Sequence, residues 1–252
     1  MCGRGGLDYD WSRLWNYFNL TGEPPDGGLR ILNLAPSYKT REGVHWNRVP
    51  VIVSENDQRL PRGMIWPLIP RWLKGELPKF STANCRSEAH RSFTDTVAGK
   101  PTFREAWKRD RRCLVPFSWF YEWDQRSQPK QPWRILPSQR PFLVMAGLWE
   151  PSSSADGDPL QSFTIVTTGP NKLLTDIGHH RSPVMLAESD WDIWLNGNKT
   201  DAEALIQPPP DDWMTAHRVT RQVNNPGFQG EALLEEEREV GKKDGGQEGK
   251  AH

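Results

Sequence analysis

Apolar residues in this chain come in short runs separated by turn-forming residues, a pattern of strands rather than of long helices. Pro50–Ser54 (PVIVS) and Met64–Trp66 read as strands, and Cys113–Pro116 (CLVP) and Phe120–Trp123 (FYEW) as two strands joined by a bend. Phe142–Trp149 and Ser162–Thr168 are β-rich runs on either side of Pro151–Pro159 (PSSSADGDP), which reads as a flexible excursion. Helical segments are predicted at Asp10–Phe18, Ser87–Ser92, Asn171–Asp176, Trp191–Leu195 and Asp201–Ile206, the fourth entered through a Ser-Asp cap. Gly22–Gly28 is turn-rich. Strands in runs, with helices between and after them, predict an α+β fold: a mixed β-sheet or open β-barrel core with peripheral helices. No Gly-rich phosphate loop follows a strand, which removes support for a doubly wound nucleotide-binding fold.

Length and charge narrow this picture. At 252 residues one larger domain is the natural reading, placed here at 2–230. Residues 231–252 are charged and Gly-rich and are expected to form a disordered tail, with a helical turn or two over 231–239. The net charge of zero hides an asymmetry. Seven acidic and four basic residues lie from Glu231 onward, leaving 28 basic against 25 acidic before it. That mildly basic core permits nucleic-acid binding without arguing strongly for it. No run is apolar enough to cross a bilayer and the first residues lack a secretory core, so an intracellular chain is expected, without deciding between nucleus and nucleoid. Three cysteines, none in a Cys-x-x-Cys pair, give neither a disulfide framework nor a zinc site.

The candidate chemistry starts at Cys2. Initiator methionine is removed before small residues, and loss of Met1 would leave Cys2 with a free α-amine and a thiol on adjacent carbons. Such an amine titrates near 7.7–8.0, so part of it is neutral and nucleophilic at neutral pH. It condenses with an aldehyde to an imine, and the thiol closes a five-membered thiazolidine. Position alone leaves Cys2 an ordinary second residue. Four further segments alter that balance: Asn33-Leu34-Ala35-Pro36, Asn84-Cys85-Arg86-Ser87-Glu88, Phe120-Tyr121-Glu122-Trp123 and His179-His180-Arg181-Ser182-Pro183.

Together with Cys2-Gly3-Arg4, these segments resemble the SRAP (SOS-response-associated peptidase) family, whose members crosslink to abasic sites. Gly63–Trp72, Cys113–Pro116, Gly147–Glu150 and Thr167–Asn171 also look like family segments in the right order, so the resemblance runs from Cys2 to about Pro226. It implies a single SRAP-like domain that senses abasic sites in single-stranded DNA and shields them through a covalent thiazolidine crosslink, within DNA repair and the SOS response. Lyase-type chemistry and self-removal of Met1 are also implied.

The resemblance makes Cys2, Asn84, Glu122 and His179 the catalytic set. Cys2 is the nucleophile. Glu122, flanked by Tyr121 and Trp123, is the proton donor that opens the sugar. His179, preferred to His180 by its spacing to Arg181 and Pro183, shuttles protons, and Asn84 positions the amine or the sugar. Arg4, Arg86 and Arg181 are expected to contact phosphates, and Pro36 and Trp66 to wall or stack on flanking bases. Trp72 and Trp123 are read as structural. No cofactor or metal is implied. The expected partner is single-stranded DNA with abasic sites, and replication-associated proteins are a further candidate. The chain is expected to act as a monomer, away from membranes. Three positions depart from the family pattern: Trp119 where a glycine is usual, Gly178 for an apolar residue, and Ser182 for methionine. Two other readings stand beside this one: a cysteine peptidase using Cys2, His179 and Asn84, and a non-covalent reader of modified bases.

Overall fold

A computed structural model describes residues 2–88, 92–154 and 156–237. Two antiparallel-rich sheets dominate. The first runs Met214–Arg218, Pro132–Pro137, Trp119–Trp123, Gly5–Asp10, Gly28–Leu34, with all neighbours antiparallel. The second orders Leu143–Ser153, Arg112–Phe117, Asn47–Glu55, Gln58–Trp66 and Pro159–Thr168. Its last strand pairs back onto the first, Gly147 opposite Ile165, so these five strands close into a ring. The expected mixed sheet and barrel are present, and the barrel is closed rather than open. Closure removes the exposed edges that an open sheet must protect. Short strands Asn84–Arg86 (parallel) and Ser182–Pro183 (antiparallel) add to Pro159–Thr168 and bring two of the sequence motifs side by side.

The ring is filled by side chains that alternate inward along its strands, among them Val51, Met64, Trp66, Phe117, Phe163 and Ile165, all fully buried. Trp66 stacks on Phe163 at 6.2 Å, meets Phe117 edge-on, and donates its indole N–H to the Ala83 carbonyl at 3.0 Å. This corrects the base-stacking role expected of Trp66: with no exposed surface it is core. Trp72, read above as structural, is 56% exposed on a short 3-10 turn, Arg71–Leu73.

Helices lie at the periphery at Trp11–Phe18, Pro101–Lys108, Lys172–Asp176, Trp191–Asn196 and Lys199–Ala204. Four match expected segments within a few residues. The helix expected at Ser87–Ser92 does not form over Ser87 and Glu88, where the chain is extended off Asn84–Arg86; residues 89–91 lie outside those described. Pro101–Lys108 takes its place, with proline in the first turn, where its missing N–H costs nothing. The strands extend into the Pro151–Pro159 excursion: pairing continues to Ser153 opposite Pro159. The tail boundary also shifts. Glu231–Leu233 forms a 3-10 turn, Leu233 is fully buried, and the Leu234 carbonyl accepts from Arg134. Residues 238–252 lie outside those described. Among the described residues no helix is long and apolar enough to cross a membrane.

Candidate active site

The N-terminal strand brings Cys2 into the interior because Gly5 and Gly6 let two aromatic rings lie against it. A Cβ on Gly5 would sit 2.4 Å from Phe117, and one on Gly6 would sit 2.0 Å from Trp119. Trp119, which stands where the family pattern has a glycine, is therefore seated over Gly6, with the Arg134 guanidinium 4.1 Å above its ring. Cys2 itself is buried. Its carbonyl accepts from Asn84 Nδ2 at 2.9 Å. The other amide atom, Asn84 Oδ1, is a buried acceptor with no partner among the described residues.

Glu122 comes from the strand Trp119–Trp123 and His179 from the loop after the helix Lys172–Asp176, and their side chains meet at 3.2 Å, Oε2 to Nε2, both fully buried. The helix is fixed at both ends. Asn171 caps its start by accepting from the Leu174 N–H at 3.1 Å. At its end Gly178 takes φ +79°, with its N–H on Thr175 and the His179 N–H on Leu174, the paired bonds of a Schellman motif. This accounts for Gly178: the position needs the left-handed conformation, and a Cβ would lie 2.1 Å from Asp124. His179 is thus placed by the helix end, three residues past Asp176 and next to Gly178. His180 is exposed and stacks on His179 at 5.2 Å.

Burial sets the protonation of the pair. It raises the Glu122 carboxyl from 4.5 to about 7 and lowers the His179 imidazole from 6.5 to about 3. The second imidazole nitrogen, Nδ1, faces the Trp123 carbonyl at 3.4 Å. A carbonyl only accepts, so Nδ1 carries the proton and Nε2 offers a lone pair. The hydrogen bond to Nε2 must then come from a protonated Glu122, in agreement with its raised pKa. Burial, then the Glu122 charge, hold the Cys2 thiol well above its usual range, so the thiol is neutral. The site therefore presents a carboxylic acid, a neutral imidazole and a neutral thiol, with a spare amide acceptor beside the first residue.

The three arginines separate. Arg86 is exposed at the end of its strand. Arg4 is half-buried and donates to Asn33 Oδ1 (3.0 Å) and to the carbonyls of Val223 (2.7 Å) and Asn224 (3.2 Å). Arg181 is buried, ion-paired with Glu88 and bonded to the Thr167 carbonyl at 2.8 Å, so it braces the interior instead of presenting its fork to a phosphate. Asn33 lies beneath Arg4, giving Nδ2 to the carbonyls of Val223, Asn225 and Phe228. Pro36 lines a groove of about 490 Å³ with Tyr38, Lys39, Lys79 and Phe80 that ends at Ala83, next to Asn84. Two aromatics that sequence reasoning left out of the site, Trp72 and Phe80, are more than half exposed. A signal was present: each stands beside a basic residue, Arg71 or Lys79. Among the described residues no cluster of three metal-ligating side chains occurs.

A family model described as SOS response associated peptidase (SRAP) matches residues 1–226. "Abasic site processing protein YoqW" of Bacillus subtilis is 34% identical over 93% of this chain and 99% of its own length. "Abasic site processing protein HMCES" of Pongo abelii is 32% identical over 68% of this chain and 55% of its own length. Among solved structures, a protein from Bacteroides thetaiotaomicron superposes with a TM-score of 0.72 at 22% identity, over 94% of this chain and all of its own. One from Bordetella bronchiseptica gives 0.66 at 26% identity, over 87% of this chain and 100% of its own.

Proposed function

This chain belongs to the SRAP family, and from that premise we propose that it processes abasic sites in single-stranded DNA, with Cys2 as the covalent nucleophile. The observation that carries the reading is the buried Glu122–His179 pair beside a buried Cys2.

An abasic deoxyribose is mostly a closed hemiacetal. Glu122 gives its proton to the ring oxygen as the bond from C1′ to that oxygen breaks, and the C1′ hydroxyl returns a proton to the Glu122 carboxylate, leaving the aldehyde and restoring the acid. With Met1 removed, the Cys2 amine adds to C1′, one N–H proton passing to the former carbonyl oxygen. The carbinolamine loses its hydroxyl as water, protonated by the acid of the pair, and its remaining N–H proton returns to that carboxylate, giving the imine. The thiol then adds across the C=N bond, sulfur to carbon and hydrogen to nitrogen, closing the thiazolidine. A neutral thiol suits this order, because it does not compete with the amine for the aldehyde and acts only once the imine is in place. Asn84 Oδ1 is the acceptor for the amine N–H, orienting its lone pair.

The same protonation argues against a general cysteine peptidase, which needs a thiolate activated by a nearby base. A single proteolytic event, removal of Met1, remains within the proposal. Lyase chemistry belongs here too, since an imine at C1′ acidifies the adjacent carbon and primes loss of the 3′ phosphate.

Intact mass spectrometry before and after exposure to an abasic single-stranded oligonucleotide tests this. The expected result is a chain lacking Met1 that gains the oligonucleotide mass less one water. Cys2→Ala and Cys2→Ser, which keep the α-amine but lack the thiol, each form an imine that borohydride traps but that does not persist untreated. Adduct formation by protein that retains Met1 overturns the mechanism.

A further inference from the structure

Away from the Cys2 site lies a cavity of about 430 Å³ lined by Arg71, Lys74 and Pro151–Ser154. We propose that it is a second nucleic-acid subsite, holding a backbone phosphate of the strand that flanks the lesion. This inference rests on the DNA-processing reading above and extends it.

The cavity is built rather than incidental. Lys74 and Gly75 both take left-handed φ, +45° and +85°, which turns the chain back on itself after the 3-10 turn Arg71–Leu73. At Gly75 the backbone approaches the hairpin so closely that a Cβ would lie 2.7 Å from Ser154 Cα and 2.8 Å from the Ser153 carbonyl oxygen. The hairpin side is fixed as well: Ser154 Oγ accepts from the Asp158 N–H at 3.0 Å, and the Ser154 N–H donates to the Asp158 carbonyl at 2.8 Å. Two cations face this wall, and among the described residues neither Arg71 nor Lys74 makes an ion pair or a side-chain hydrogen bond. Ser152 Oγ is buried without a partner among the described residues. Two unpaired cations and an unsatisfied hydroxyl match the oxygens of a phosphodiester. The neighbouring acids Glu76, Asp156 and Asp158 do not line the cavity.

Its position fits one strand reaching both sites. The single excursion 67–83 carries Arg71 and Lys74, then the exposed Phe80, and ends at Asn84. Along Pro159–Thr168, Leu160 packs by Gly75 and Ile165 pairs with Asn84. Five residues of strand span about 17 Å at about 3.3 Å each, the rise of about five stacked nucleotides at roughly 3.4 Å.

The test compares Arg71→Gln/Lys74→Gln with the unmodified chain, using oligonucleotides with a tetrahydrofuran abasic analogue, which has no aldehyde. The lesion is flanked on each side by about two nucleotides, too few to reach the cavity, or by about ten. For the long oligonucleotide, loss of the one neutralised phosphate flattens the slope of log Kd on log salt by about 0.7. Binding weakens by about 5-fold at 0.1 M salt, referred to 1 M. Binding of the short oligonucleotide, and its crosslinking when it carries a true abasic site, stay unchanged. Ser152→Ala weakens only the long oligonucleotide, by a smaller factor. Equal binding of the long oligonucleotide by both proteins overturns the subsite, as does an equal loss at both lengths. If the unmodified chain neither binds nor crosslinks either oligonucleotide, the functional reading fails and the subsite falls with it; crosslinking without a length-dependent effect of the variant sinks the subsite alone.

Discussion

Replacing Glu122 by glutamine separates two consequences of one burial. In the folded chain the carboxyl titrates at about 7, against 4.5 ordinarily. A raised carboxyl pKa means the folded form keeps a proton that the unfolded form gives up, so stability is complete below about pH 4.5 and is lost as pH climbs through 7. The loss is about 3 kcal/mol, at roughly 1.36 kcal/mol per unit. His179 works in the opposite sense. Its pKa falls from 6.5 to about 3, so its contribution is present above 6.5 and is lost as pH falls toward 3. Between pH 4.5 and 6.5 both states hold one proton on the pair, on the carboxyl when folded and on the imidazole when unfolded, and this pair gives stability no slope. Glu122→Gln removes the carboxyl proton from that count. The variant is expected to match the unmodified chain near pH 4.5, to gain about 1.4 kcal/mol per pH unit above it, and to lead by about 3 kcal/mol at pH 8. That lead raises Tm by roughly 6–12 °C for a chain of this size. The amide still donates to Nε2 across 3.2 Å but transfers no proton, so the crosslinking rate falls by about 10²–10⁴-fold. Urea denaturation across pH 4.5–8 and single-turnover crosslinking on denaturing gels read the two effects. A variant less stable at pH 8, or a stability difference that is the same at pH 5 and pH 8, refutes the assignment of the proton to Glu122.

Trp66→Ala is expected to cost about 3–5 kcal/mol in denaturation, as removal of a large core side chain does. Trp72→Ala and Phe80→Ala should leave stability within about 0.5 kcal/mol. They should weaken single-strand binding by about 1–3 kcal/mol per stacked base in fluorescence anisotropy; unchanged binding would show these aromatics idle. Asn33→Ala strips one donor from three carbonyls and should cost about 1–3 kcal/mol, with faster amide exchange confined to residues 221–229; protection as in the unmodified chain would show the contact to be dispensable. Gly178→Ala places a Cβ 2.1 Å from Asp124 at a left-handed φ, so it should both destabilise the chain and slow crosslinking at temperatures where the variant stays folded. Normal crosslinking by that variant would separate His179 from the helix end that places it.

Where residues pair locally, the chain announced its elements: the helix expected from Asn171, the strands Phe120–Trp123 and Ser162–Thr168, and the helix after Asp10 all follow from short-range pattern. What failed to show depends on distant partners. Gly5-Gly6 looks like a loop, yet it is a strand because Phe117 and Trp119 occupy the space that side chains would take. Pro151–Pro159 has loop composition, but closure of the ring continues the pairing to Ser153. Pro101 looks like a breaker until its place in a first turn is known. Trp66 and Trp72, six residues apart, have the same sequence credentials for stacking. Only the direction of a strand inside a closed ring sends the first to the core, while a 3-10 turn leaves the second in solvent.

The groups proposed as reactive were legible because the chemistry proposed for them depends on residue type. An aldehyde trap needs an amine and a thiol, and proton transfer near neutrality needs a carboxyl or an imidazole in the right environment. Their states were not legible, because these are set by burial and by one carbonyl. Were Trp123 O absent, His179 could carry its proton on Nε2 and Glu122 could accept as a carboxylate, and the pair would act as a base. With Nδ1–H directed at that carbonyl, the pair is an acid. In the proposed mechanism Trp123 thus acts through its backbone, which no side-chain motif displays, while its indole N–H is held by Asn224 at 2.8 Å. Arg181 shows the converse. Its spacing after His179 suggested a phosphate contact, and the contacts with Glu88 and Thr167 turn it inward, so that its charge holds the strand Ser182–Pro183 and the loop before it against Pro159–Thr168. Of the three arginines, the one left exposed is Arg86, two residues past the Asn84 that holds Cys2.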